Sequence, residues 1–285
     1  MRPARLIADT ADCLGEGPVW AAAEARLYWF DIKGQRLNWL QPDGASTGRL
    51  DLPLRASAAA VRPGGGLLLA TESGLYALDP ATGACTVREA MQFEPGFRTN
   101  DGGVDPLGRF WWSTMDDAGG ARPAAIYRTE ISGKTEKVLD GVHIPNTLAF
   151  NRDGSRVIIA DSRRQTLFEH HTDDLTQRRE FAHTRGQVAT PDGGATDAEG
   201  FLWNAQWGGA RVVRYAPDGS IDHIVPLPVS QPTSCAFGGP DLATLYVTSA
   251  WDGLSAAERT EQPLAGGLFA FEPGVKGLPI PPFGG

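Results

Sequence analysis

The stretch VDPLGRFWWST, residues 104–114, sets an apolar residue before a tight turn of Asp, Pro and Gly, then a β-prone run. A second strand-like segment follows it, AIYRTEISG at 125–133. The same phrase recurs on both sides. It reads WAAAEARLYWFD at 20–31, VRPGGGLLLAT at 61–71, FNRDGSRVIIAD at 150–161, TDAEGFLWNAQ at 196–206 and FGGPDLATLYVTS at 237–249. The second segments are QRLNWLQPDG, GLYALDPATG, TLFEHHTDD, RVVRYAPDG and GLFAFEPG. Strand, turn, strand, turn thus occurs six times.

The residue before each first turn fixes the period: Trp20, Val61, Val104, Phe150, Thr196 and Phe237, with Thr196 the one polar exception. Successive spacings are 41, 43, 46, 46 and 41 residues. Helical solenoids share this period but need a sustained 3.6-residue pattern, which only SAAERTEQ at 255–262 approaches. The spacing therefore predicts an all-β fold, a six-bladed β-propeller with four antiparallel strands per blade, formed by residues 1–285 as a single domain. A β-sandwich with coincident turns is the alternative. Closure of the ring is expected from the N-terminal RLIAD, lying as an outer strand beside GLFAFEP.

Composition narrows the function. A net charge of −8 disfavours nucleic acid, whose phosphates an acidic chain repels. No apolar run is long enough to span a bilayer, and the N-terminus lacks a signal-peptide core, so no membrane partner and a cytoplasmic location are expected. Cys13, Cys85 and Cys235 are far apart and form no CxxC, so neither a zinc knuckle nor a disulfide framework is indicated. No feature of the sequence sets an oligomeric state.

Four residues before each anchor lie Glu16, Ser57, Asn100, Asn146, Asp192 and Thr233, all polar. The first strand of each blade lines the channel, so these six should ring the axis. Two carboxylates and two carboxamides make an oxygen-rich cup suited to a hard or borderline divalent cation. Polar caps on strand ends are the plainer reading of any one of them.

Local sequence sharpens the choice. LGEGPVW (14–20), RTNDGGVDPLGRFWWSTM (98–115), IPNTLAF (144–150) and PDGGATDAEGFLW (191–203) stand in order, followed by TSCAFGGPDLATLYVTSAWDGLS (233–255) and PLAGGLFAFEPGVKG (263–277). Together they resemble the regucalcin (senescence marker protein)/gluconolactonase family from about residue 12 to about 277, and the closing blades resemble its bacterial sugar lactonases. The resemblance implies one divalent metal in the central channel and hydrolysis of a small-molecule sugar lactone. It implies Glu16, Asn146 and Asp192 as metal ligands and Arg98 and Asn100 as substrate contacts. One departure stands out: the position of the family's substrate-binding glutamate is Ala118 here, with Asp116 and Asp117 as candidates to replace it.

The chemistry agrees with that implication. Neither a G-x-S-x-G elbow nor an H-E-x-x-H helix occurs, so no nucleophile or zincin machinery is visible. A metal acting as Lewis acid fills the electrophilic role, with Asp192 as general base towards water. Oxygen ligands leave Ca²⁺, Mg²⁺, Mn²⁺, Zn²⁺ and Fe²⁺ all open. Trp207 and Trp251 fall near the channel mouth, as sugar platforms or as packing residues, and His143 lies within reach of the cup. Asp101, Asp105, Asp153, Asp197 and Asp218 read as turn formers. Two rivals remain: a phosphotriesterase- or paraoxonase-like esterase on the same scaffold, and a non-enzymatic calcium-binding propeller.

Overall fold

The computed structural model describes residues 3–41 and 46–284. It contains six four-stranded antiparallel sheets, each pairing its strands in chain order except the last. The innermost strands are Gly15–Ala21, Ala56–Val61, Phe97–Val104, Pro145–Phe150, Thr190–Thr196 and Pro232–Gly238. Each packs beside the next, and the sixth packs back against the first, so the sheets form a closed ring of six blades. The anchors Val61, Val104, Phe150 and Thr196 end their strands, while Trp20 and Phe237 come one residue earlier.

Burial follows from this arrangement. An inner strand such as Pro145–Phe150 is buried throughout because neighbouring blades cover it. An outermost strand such as Ile221–Pro226 is almost wholly exposed. Large aromatics fill the wedges between blades, with Trp203 set edge-on to Phe237 and tilted against Phe271.

The turns also serve as fasteners. In the third blade the Asp105 carboxylate accepts the backbone N–H of Leu107 and Arg109, each at 3.0 Å, and the Trp111 indole N–H at 2.8 Å. Asp197 repeats this in the fifth blade with Glu199, Phe201 and Trp203. Asp153 and Asp218 hold simpler turns through the N–H groups of Ser155 and Ser220.

Closure occurs where the sequence places it. Arg5–Ala8 is the outer strand of the last blade and pairs with Leu268–Phe271, Arg5 opposite Ala270 and Leu6 opposite Phe269. One short helix, Ala256–Glu261, carries a capping box between Ser255 and Glu258. The PDG turn at 42–44 lies outside the described residues. Among the described residues no helix is long and apolar enough to cross a membrane, and the three cysteines are free thiols.

Candidate active site

Every inner strand breaks its pairing register once, and each break falls at the polar ring. The shifts lie between Glu16 and Val19, Ala56 and Ala58, Thr99 and Gly102, Asn146 and Ala149, Pro191 and Gly194, and Pro232 and Cys235. An extra residue in one strand bends it and re-aims its side chains, so strict alternation fails there. Six bulges at one level give the channel a polar mouth inside an otherwise apolar wall. Glu16, Ser57, Asn100, Asn146, Asp192 and Thr233 are all buried.

The carboxylates share one electrostatic environment. Burial drives the Asp192 carboxyl well above the usual carboxylate range; Glu16 and Asp101 push it further, and Arg98 offsets them in part. Glu16 is raised as well, first by burial and then by Asp101. Glu16 accepts the Gly17 N–H at 3.1 Å and Asp192 that of Gly193. Among the described residues neither carboxylate forms an ion pair.

The other half of the mouth is a hydrogen-bonded chain across the third, fourth and fifth blades. Arg98 donates through Nη1 to Asn100 Oδ1 at 3.0 Å. Asn100 Nδ2 donates to Asn146 Oδ1 at 2.8 Å and to the Pro145 carbonyl at 3.0 Å. Asn146 Nδ2 donates to Ser162 Oγ at 2.9 Å, and the Ser162 hydroxyl donates to the Pro191 carbonyl at 2.6 Å, one residue before Asp192. With its amide nitrogen engaged by Ser162, Asn146 must present its oxygen to Asn100, leaving one lone pair free.

Asp101 requires a correction. It is no turn former: it lies buried within Phe97–Val104 at the bulge, and burial raises its carboxyl to about 6. It accepts the N–H of Gly102 at 2.8 Å and that of Thr147. Alternation would turn the residue after Asn100 away from the channel, and the bulge removes that rule. Thr147 itself has φ +72°, a conformation that costs a β-branched residue roughly 1–3 kcal/mol. It is held there because its hydroxyl donates to the Asp192 carbonyl and accepts from Asn204 Nδ2 at 3.0 Å. The matching position in the first blade, Gly17, is also left-handed, at φ +56°.

The remaining candidates divide. Asp117 bridges Arg98 Nε at 2.8 Å and Arg55 Nη1 at 2.7 Å, whereas Asp116 is tied to Arg122 and held down to about 2. Of the two, Asp117 is the one bonded to Arg98. Ala118 is exposed in the loop that follows. His143 does not point into the cup through Nδ1, which meets the Gly120 carbonyl at 3.0 Å. Trp251 donates to the Ala11 carbonyl and carries the Arg259 guanidinium 3.9 Å from its ring centre, so one indole face is covered. Trp207 is half-buried against the cluster of Leu14, Ile32, Leu52 and Ala250.

Two features fit a divalent cation at this mouth. Two buried carboxylates without a counter-charge are costly unless a cation joins them. Ser57 Oγ, in the same ring, is buried with no hydrogen-bond partner. The donor set is mixed, for among the described residues no three His, Cys, Asp or Glu side chains cluster as a metal site. Carboxamide oxygen from Asn146 would have to complete it, a donor that hard cations accept.

Comparison with known proteins gives a consistent result. Residues 14–251 match the model of the SMP-30/gluconolactonase/LRE-like region. The chain is 38% identical over 284 residues to a 6-deoxy-6-sulfogluconolactonase of Pseudomonas putida, covering 95% of each chain. It is 35% identical over 290 residues to an L-arabinolactonase of Azospirillum brasilense, covering 99% of this chain and 96% of that one. The crystal structure of a calcium-binding protein, regucalcin, from Agrobacterium tumefaciens superimposes with a TM-score of 0.93 at 33% identity, covering 98% and 96%.

Proposed function

Because the chain belongs to the SMP-30/gluconolactonase/LRE-like family, we propose that it hydrolyses a sugar lactone to the open aldonic acid, with one divalent cation held by Glu16, Asn146 and Asp192. The observation that carries this reading is the pair of buried carboxylates, Glu16 and Asp192, which among the described residues form no ion pair and are offset only in part by Arg98, beside the Arg98–Asn100–Asn146 chain. A cation so held supplies Lewis acidity, polarising the lactone carbonyl and bearing the charge that develops on its oxygen.

The protein's own residues do the rest. Arg98 and Asn100 hold the ring hydroxyls: a guanidinium with unused N–H donors and a carboxamide suit a polyhydroxylated ligand. Ser162 fixes which way the Asn146 amide faces. Asp192 is the general base. Burial and Glu16 disfavour its charge in the metal-free protein, and a bound cation would keep it ionised and ready to take a proton. It takes a proton from water as the water oxygen bonds to the carbonyl carbon. The ring C–O bond then breaks, and the proton passes from Asp192 to the leaving alkoxide.

The test is a pH-stat assay of chelator-stripped protein on several aldonolactones, with Ca²⁺, Mg²⁺, Mn²⁺, Zn²⁺ and Fe²⁺ restored singly. Turnover should vanish on stripping and return with at least one cation. Asp192→Ala should lower kcat at least about a thousandfold, the combined loss of a general base and a metal ligand. Full activity after stripping, or near-full activity in Asp192→Ala, would refute the mechanism.

A further inference from the structure

Charge is distributed unevenly around the rim above the cup. Arg55 and Arg98 share Asp117, and Arg55 also meets Glu72 at 2.7 Å. Arg122 is matched by Asp116, and Arg164 by Asp161. Arg163 differs from all of these. Among the described residues it has no carboxylate partner, and its Nη1 donates to a backbone carbonyl, that of Gly119, at 3.0 Å. The bond reaches 44 residues along the chain, from the fourth blade to the loop after the third blade's second strand, Phe110–Asp116.

That loop carries Ala118. His143 meets the next carbonyl, Gly120 O, so an imidazole and a guanidinium are both tied to the two residues that follow the exposed Ala118. The loop begins at Asp117, which is bonded to Arg98, and Arg98 is bonded to Asn100. On the fourth blade, Arg163 directly follows Ser162, the residue that holds Asn146. The rim at Ala118 is therefore tied to both halves of the mouth, through Asp117 and Arg98 to Asn100 and through the Gly119 contact to the segment that holds Asn146.

A glutamate at 118 would neutralise Arg163 and favour neutral hydroxyls. Alanine leaves the positive charge open. A guanidinium fork binds a sulfonate, phosphate or carboxylate through paired, charge-assisted hydrogen bonds, whereas a hydroxyl gains much less from it. We propose that the rim formed by Ala118, Arg163 and His143 receives an anionic group at the distal end of the substrate, so that the preferred substrate is an acidic sugar lactone. This rests on the lactonase reading above and adds the substrate class to it.

The experiment compares kcat/KM of the metal-loaded enzyme on glucono-1,5-lactone with three acidic analogues: the 6-phosphate, the 6-deoxy-6-sulfonate and the 6-carboxylate. The variants are Arg163→Ala, Arg163→Lys and Ala118→Glu. Wild type should favour at least one acidic lactone, and the three analogues reveal which anion the rim takes. Arg163→Ala should lower that lactone about tenfold more than gluconolactone, chiefly through KM, with Lys retaining part of the difference. Ala118→Glu should reverse the preference, and 0.5 M salt should shrink it, because the site is exposed.

A wild type that favours the neutral lactone would overturn the inference, as would an Arg163→Ala that slows all four lactones equally. Either result leaves the lactonase reading intact. Hydrolysis of none of the four overturns the inference, and failure on pentonolactones as well removes the lactonase reading with it.

Discussion

Asp197 and Asp192 stand five residues apart, both buried, yet they face opposite chemical fates. At the far end of the inner strand, Asp197 is saturated: it accepts two backbone N–H groups, the Trp203 indole, and Arg214 through both Nε at 2.9 Å and Nη2 at 2.7 Å. Asp105 is fastened likewise, with Arg109 at 2.6 Å. At the channel mouth Asp192, Glu16 and Asp101 receive backbone N–H groups, and among the described residues none has an ion pair. A buried carboxylate that holds a fold together is fully bonded by the fold. One left under-bonded awaits something the chain does not itself supply.

The contrast fails if the two kinds of carboxylate behave alike on removal. Asp197→Ala should cost about 3–5 kcal/mol of stability, because it strands the buried Arg214 and the Trp203 N–H. Glu199 and Asp222 still reach Arg214, which favours the lower end of that range. Urea unfolding gives the loss, and specific activity of the folded fraction should hold. Asp192→Ala should show the reverse, with activity gone and the metal-free protein no less stable. Equal stability losses in the two variants would erase the distinction.

A smaller effect sharpens the same contrast through pH. Asp101, Glu16 and Asp192 all have folded pKa values above their unfolded ones. The folded, metal-free protein therefore holds protons that the unfolded chain releases. Their contribution to stability is complete below about pH 4 and is lost as pH rises through the folded values, about 6 for Asp101. Chelator-stripped protein should lose on the order of 1–1.5 kcal/mol between pH 5 and pH 8 from Asp101 alone. A bound cation should remove that slope by favouring the ionised forms, with protons released on binding. A stripped protein whose unfolding midpoint is flat, or rises, over this interval would mean that the mouth is not short of positive charge.

These differences also mark what the sequence reveals. Blade boundaries are legible because turns obey local rules: Asp105 and Asp197 bond to N–H groups two and four residues on, within one quoted phrase. The ring from Glu16 to Thr233 is legible because every bulge takes in the position four residues before its anchor. Asp101 is not, since reading a strand assumes alternation and the bulge suspends it at that residue. Nor is Thr147 at φ +72°, where the hydroxyl's bond to the fifth blade overrides the local preference of a β-branched residue. The Arg163–Gly119 contact joins two blades through a backbone carbonyl, which leaves no trace in residue type. Trp251 reads as a possible sugar platform until Arg259 is found against its ring.

The finest test lies between the two regions, at Ser162. Its hydroxyl is saturated like a structural group, accepting from Asn146 and donating to Pro191, yet what it holds in place belongs to the mouth. If its task is structural, Ser162→Ala should cost about 1 kcal/mol and nothing else. If it sets the Asn146 flip, the freed amide can turn its nitrogen towards the cup, and a donor facing a cation is repulsive. Partners that orient metal ligands change affinity by roughly 10–100-fold when removed. Because the flip is lost only part of the time, the expected loss in divalent-cation affinity is near tenfold, read by calorimetry on the stripped protein. Ser162→Thr, which keeps the hydroxyl, should restore most of it. Unchanged affinity in Ser162→Ala would return the Asn146 orientation to Asn100 alone, whose Nδ2 then suffices to select the oxygen.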